Sequence, residues 1–221
     1  MKKLLLFTLI FLSIFLGYSF GFGKNRDIEV PFPHSRKEVL RVGLVADSHN
    51  ENGLLKESLI RAKEREVNFV IGLGDYTNLG LMDELVDARR MFDESGLEYF
   101  VIPGDRDGWD SREKGLPNIS NFSQVFGIGS EVLDRNGVGF VLLDNSDLYF
   151  GISSSDWLLL SNSLGADSKL TFVFAHKTPF HPDSLHIMGA DSELVAGQAK
   201  ELMLLLEDKK VFQEKGGGAS R

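Results

Sequence analysis

The feature that most constrains this chain is a series of short apolar runs, each ending at glycine, aspartate or histidine. Residues 39–46, 67–73 and 97–102 are dominated by Val, Ile, Leu and Phe. Such runs suit buried strands and are too short for buried helices. Helical periodicity fills the gaps between them. Leu54, Leu55, Leu59 and Ile60 share one face of a segment over about 53–66. Leu81, Leu85, Ala88, Met91 and Phe92 share a face of 80–95, with Gly96 placed to cap its C-terminus. Strand and helix alternating through short connections predict a right-handed parallel βαβαβ sheet with three buried strands.

The strand ends carry Asp47-Ser48-His49, Gly74-Asp75-Tyr76-Thr77-Asn78 and Gly104-Asp105-Arg106-Asp107. A fourth strand is expected over 170–175 and stops directly at His176. In open α/β sheets, ligand chemistry gathers outside the carboxyl ends of the strands. Asp47 and His49, two apart in extended chain, would point to one side. Gly72, Gly74 and Gly104 would let backbone segments approach closely. Any one of these residues reads equally well as a turn aspartate, a helix cap or a core histidine. Together, at consecutive strand ends, they predict a metal site.

The 221 residues include no cysteine, so a metal here must sit on His, Asp, Glu or Asn. A net charge of -8 argues against nucleic acid or an anionic lipid surface as the main partner. It leaves a small phosphorylated substrate open, because bound divalent cations reverse the local sign.

The N-terminus begins Met1-Lys2-Lys3 and continues through an apolar stretch, Leu4 to Phe20. Residues 1–23 therefore read as a secretory signal or a membrane anchor. Export to the periplasm or exterior, or attachment through residues 4–20, is the expectation. Residues 24–38, with Pro31 and Pro33, read as a linker. Residues 103–124, rich in Gly, Asp, Asn and Ser, read as a long functional loop anchored by Trp109, Ile119 and Phe122. Residues 131–134 and 138–144 flank Asn136-Gly137, a hairpin signal. A helix is expected over 155–164 with Ser154 or Ser155 near its N-cap, and a last helix over 191–207. The domain then spans 39–212, and 213–221, with three consecutive glycines, reads as a flexible tail.

In these motifs the chain resembles the calcineurin-like metallophosphoesterases over about residues 39–210. That family shows Asp-x-His, Gly-Asp-x-x-(Asp/Asn), Gly-Asn-His-(Asp/Glu), an isolated His and a final Gly-His-x-His. Asp47-Ser48-His49 and Gly74 to Asn78 fit the first two motifs, Gly104 to Asp107 is similar to the third, and His176 stands as the isolated His. The resemblance implies an α/β fold, a four-layer αββα sandwich of mixed sheets with βαβ units. It makes Asp47 and His49 ligands of one divalent ion and Asp105 and His176 ligands of a second, with Asp75 bridging. The ions would be manganese, iron or zinc. The implied reaction is hydrolysis of phosphomonoesters or phosphodiesters by metal-activated water.

Three departures qualify the resemblance. Asp105 stands where the family has Asn, adding a negative charge. Arg106 stands where the family has a His that assists the leaving group. Arginine holds its proton and cannot be a general acid. It reads either as a phosphate clamp or as an ion-pair partner of Asp107 or Asp110. Gly-His-x-His is absent from the sequence, so the fold is expected to be C-terminally incomplete, as in a truncated product. The alternative is a degenerate member that binds metal or phosphate without turnover. His181 and His186 read as surface loop residues and His34 carries no signal. Asn118-Ile119-Ser120 and Asn121-Phe122-Ser123 fit the glycosylation pattern.

Overall fold

The computed structural model describes residues 40–127, 129–164 and 170–208. The expected signal segment and linker (1–38), the end of the expected domain at 209–212 and the expected tail lie outside the described residues. The first half runs β1 (Val42–Val45), α1 (Asn52–Glu64), β2 (Phe69–Gly72), α2 (Met82–Ser95) and β3 (Tyr99–Val101). These strands form one parallel sheet in the order β1-β2-β3, with Val45 opposite Gly72 and Gly72 opposite Val101. The register brings the C-terminal ends of all three strands level, so Asp47, Asp75 and Asp105 emerge from one edge.

The second half contains α3 (Trp109–Glu113), α4 (Ser120–Phe126), β4 (Glu131–Arg135), β5 (Val138–Leu143), α5 (Ser154–Leu164), β6 (Leu170–Ala175) and α6 (Glu193–Asp208). Its sheet has the order β4-β5-β6. Strands β4 and β5 are antiparallel around Asn136-Gly137, both at positive φ (58° and 77°), as a two-residue hairpin turn requires. Strand β6 then runs parallel to β5, from Val138↔Leu170 to Leu143↔Ala175.

Three apolar cores stack these elements into layers. Phe69, Ile71 and Ile102 of the first sheet meet Leu133, Phe140 and Leu142 of the second. The Phe69 and Phe140 rings cross edge to face at 5.3 Å. On the far face of the first sheet, Val70 and Val101 pack with Leu55, Leu59, Leu85, Phe92 and Phe122 from the helices. On the far face of the second, Val141 and Leu143 pack with Leu160, Val195, Ala199 and Leu202. The result is the αββα sandwich the motifs imply. Among the described residues no helix is long and apolar enough to cross a membrane.

The structure corrects several local expectations. Strand β1 is not buried: it is an edge strand among the described residues, and Leu44 is 54% exposed. Residues 103–124 are not one open loop, because α3 lies within them and α4 begins within them. Their polar composition hides two short helices that tertiary contacts hold, through Phe122 and Val125 in the core and the buried Asn121 amide on the Gly80 carbonyl (3.0 Å). That burial also removes Asn121 as a glycosylation acceptor. The α5 N-cap is Ser153, whose Oγ accepts from the Asp156 N–H (3.2 Å), rather than Ser154 or Ser155. Helix α2 begins at Met82, because the Glu84 carboxylate reaches back to the N–H groups of Leu79 (3.1 Å) and Leu81 (3.2 Å). Gly96 caps that helix in the left-handed conformation at φ 68°, as the sequence predicts.

Candidate metal centre

Two glycines decide how close the strand-end loops come. A Cβ built on Gly74 (φ +94°) would lie 2.3 Å from the Gly104 nitrogen, and one on Gly104 would lie 2.1 Å from Asp75 Oδ1. The loops after β2 and β3 therefore touch backbone to backbone, as the Gly-Asp pairs predict. The loop after β1 is stitched to the same place. Asp47 N–H donates to the Gly74 carbonyl (3.0 Å), His49 N–H to Asp75 (3.0 Å) and Asn50 N–H to Tyr76 (2.9 Å).

Asp107 fastens the second and third motifs together. It is fully buried. Its Oδ2 accepts from the Asp75 N–H (2.8 Å) and the Gly104 N–H (2.9 Å). Its Oδ1 accepts from the Thr77 N–H (3.0 Å) and hydroxyl (2.9 Å). Burial pushes this carboxyl up to about 7, against the pull of those hydrogen bonds. Beneath it, the buried Tyr76 hydroxyl donates to the Ile102 carbonyl (3.1 Å) and accepts from the Gly74 N–H (3.0 Å).

This scaffold presents two groups of ligand-type atoms, Asp47–His49–Asp75 and Asp75–Asp105–His176. Within each, the atoms lie within 4.8 Å of one another. Asp75 divides its oxygens between them: Oδ2 faces His49 Nε2 at 3.9 Å and Oδ1 faces His176 Nε2 at 3.6 Å. Asp47 and His49 converge too, at 3.9 Å, but not along extended chain. Asp47 (φ 54°), His49 (φ 43°), Asn50 (φ 66°) and Asp75 (φ 55°) all occupy the left-handed region. Non-glycine residues there carry strain, and such residues cluster at functional sites.

The donor set fits divalent ions. His176 Nδ1 sits 2.8 Å from the Leu73 carbonyl oxygen, which can only accept, so Nδ1 carries hydrogen and Nε2 turns to the carboxylates. His176 Nε2 is 3.2 Å from Asp105 Oδ1. Burial alone would lower the His176 pKa, but the Asp105 hydrogen bond and the Asp75 charge carry it up to about 9. Burial would raise Asp105, yet hydrogen bonds from His176 and Lys177 hold its carboxyl well below the usual range. Asp75 moves up, because desolvation outweighs the His176 charge and the Arg106 N–H. The carboxylates of Asp75 and Asp105 thus set the charge of this cluster, and His176 answers it.

Arg106 reaches the centre through its backbone, donating N–H to Asp75 Oδ1 at 2.9 Å. Its guanidinium lies 5.5 Å from the centroid of the Trp109 ring. The ion-pair reading of Arg106 is not what the fold builds: Asp107 is taken up by backbone donors, and Asp110 pairs with Lys114 at 2.6 Å. His181 and His186 are exposed and belong to neither cluster. Sequence reasoning passed over Lys177, whose Nζ lies 3.1 Å from Asp105 Oδ1. Its place directly after a strand-end histidine was the available signal. Beside Asp47 and His49 opens a cleft of about 430 Å³, walled by Leu44, Val45, Leu54 and Leu55.

No family model matches the chain, and no curated protein matches it in sequence. Solved structures do. A dimetal phosphatase from Danio rerio is similar at 15% identity and TM-score 0.59, over 78% of each chain. The purple acid phosphatase PPD1 from yellow lupin (Lupinus luteus) seeds is similar at 14% identity and TM-score 0.58, covering 82% of this chain and 38% of its own. At these identities the likeness is one of fold: this chain shares the fold of these two phosphatases.

Proposed function

We propose that this protein is a metal-dependent phosphoesterase, acting on phosphomonoesters or phosphodiesters with two divalent ions. One observation carries the reading: two carboxylate–imidazole clusters share Asp75, one oxygen to each. When bound, a pair of such ions supplies Lewis acidity at the phosphoryl oxygens and an activated water nucleophile.

The chain's own residues do the rest. Asp47 and His49 would hold one ion, and Asp105 and His176 the other. The Leu73 carbonyl keeps His176 Nε2 facing inward. The Arg106 N–H and the Asp107 staple fix the Asp75 carboxylate and its backbone before any ion arrives, which is preorganisation of the kind catalysis needs. The exposed Arg106 guanidinium is free in charge type to clamp phosphate oxygens, though not to protonate a leaving group. Substrates with good leaving groups suit this site best.

With manganese, the purified protein is expected to hydrolyse bis-p-nitrophenyl phosphate or p-nitrophenyl phosphate, and Asp75→Asn to abolish that turnover. Turnover surviving Asp75→Asn would remove the shared ligand from the mechanism. Arg106 in place of His, and a sequence without Gly-His-x-His, favour a second reading: a metal- or phosphate-binding protein without turnover. Two ions bound with no hydrolysis of either ester would select it. The basic and then apolar segment from Met1 to Phe20 supports export or anchoring, which fractionation of expressing cells tests.

A further inference from the structure

We infer that Lys177 is an internal counter-cation for Asp105, and that it makes the Asp75–Asp105–His176 half of the centre the weaker of two ion sites. The inference rests on the two-ion reading above and concerns how its halves differ. Lys177 Nζ lies 3.1 Å from Asp105 Oδ1, the same oxygen that lies 3.2 Å from His176 Nε2. The oxygen offered to an ion is thus already engaged by the Lys177 ammonium as well as by the His176 imidazole. The Lys177 side chain is only 12% exposed, unusual for a residue that normally keeps its ammonium in water.

Its position is built rather than incidental. The buried Asn145 amide grips the Lys177 backbone from both sides: Asn145 Nδ2 donates to the Lys177 carbonyl (2.7 Å), and the Lys177 N–H donates to Asn145 Oδ1 (3.0 Å). The other half lacks such a partner. Among the described residues no Lys or Arg forms an ion pair with Asp47, His49 or Asp75.

The chemistry follows from the charges. Aspartate at 105 adds one negative charge to a cluster that already holds Asp75, and Lys177 returns one positive charge at contact distance. An incoming divalent ion must loosen that pair and then sit beside an ammonium, and both effects cost affinity. The Asp47–His49–Asp75 half carries neither cost. The two halves should therefore load in order, the Lys177-free half first.

Manganese titration of the full chain, followed by calorimetry and by metal content after dialysis, tests this. The wild type should take one ion and then a second about tenfold or more weakly, the scale of one nearby like charge at partial burial. Lys177→Met and Lys177→Gln should each tighten the second step about tenfold, and the gain should shrink in an Asp105→Asn background. Circular dichroism confirms that each variant is folded. A second step unchanged or weakened in both variants, with the first retained, overturns the role of Lys177 and leaves the two-ion reading standing. No manganese bound by wild type or variants overturns the two-ion reading and this inference with it.

Discussion

Gly104→Ala tests how the centre is assembled. Gly104 does not occupy the left-handed region, so alanine there carries no backbone penalty of its own; the whole effect is steric. The new Cβ would lie 2.1 Å from Asp75 Oδ1 and 2.3 Å from the Asp75 nitrogen, nearly 1 Å inside the 3.0 Å that real Cβ contacts essentially never breach. The backbone nitrogen cannot swing away as a flexible side chain would, and the Asp107 carboxylate ties both loops together. Overpacking of this kind costs about 1–3 kcal/mol. At about 2–4 °C per kcal/mol for a domain of this size, Tm should fall by roughly 2–12 °C. Separating the loops also moves Asp75 away from both clusters, so manganese affinity should drop along with stability. Gly115→Ala supplies the contrast: φ +67° but no atom within 4 Å, hence about 1 kcal/mol of strain and no effect on metal. The two proteins would be compared by urea denaturation and manganese titration. A Gly104→Ala protein with wild-type midpoint and wild-type manganese affinity would refute the close approach of these loops.

Tyr76→Phe leaves the Gly74 N–H and the Ile102 carbonyl without their shared buried partner, so it should cost about 1–3 kcal/mol in urea denaturation; an unchanged midpoint would contradict that role. In metal-free protein, the folded His176 pKa of about 9 stands above the ordinary 6.5. Its contribution, up to about 3 kcal/mol, is fully present below pH 6.5 and lost as pH rises through 9. Urea midpoints at pH 6 and pH 9.5 should show the fall, and His176→Gln should flatten it. Manganese at about 100 times its Kd should raise stability by about 2.7 kcal/mol per site, read as a thermal shift. Asp75→Asn should remove most of that shift, since both clusters lose their common member.

Much of the fold was legible because apolar periodicity and strand-end chemistry coincide. The parallel β1-β2-β3 order, the Asn136-Gly137 hairpin and the convergence of Asp47, His49, Asp75, Asp105 and His176 all follow from local signals. What stayed hidden depends on tertiary contact. Helices α3 and α4 are short and polar, and Phe122 anchors its helix by packing into the core beside Tyr76, which is distant in sequence. The exposure of β1 depends on what pairs with it, which alternation of residues within one strand does not encode. Asp107 looked like one more member of an acidic motif, yet its carboxylate faces backbone N–H groups instead of an ion. Arg106 and Lys177 show the same limit. Their charges were plain, but their partners, Trp109 and Asp105, are set by the turns that carry them.

The hydrogen bond between His176 Nδ1 and the Leu73 carbonyl spans 103 residues of chain. Asp47, His49 and Asp75 come from a single βαβ unit, so their cluster needs only local segments to meet. The Asp105–His176 pairing needs the second sheet in place, and closing that longer loop costs more entropy. A folding intermediate ordered only through β3 would possess the first cluster and lack the second. On the two-ion reading, ion capture by the two halves would be separated in time during refolding, with the late half reporting on the docking of one sheet against the other.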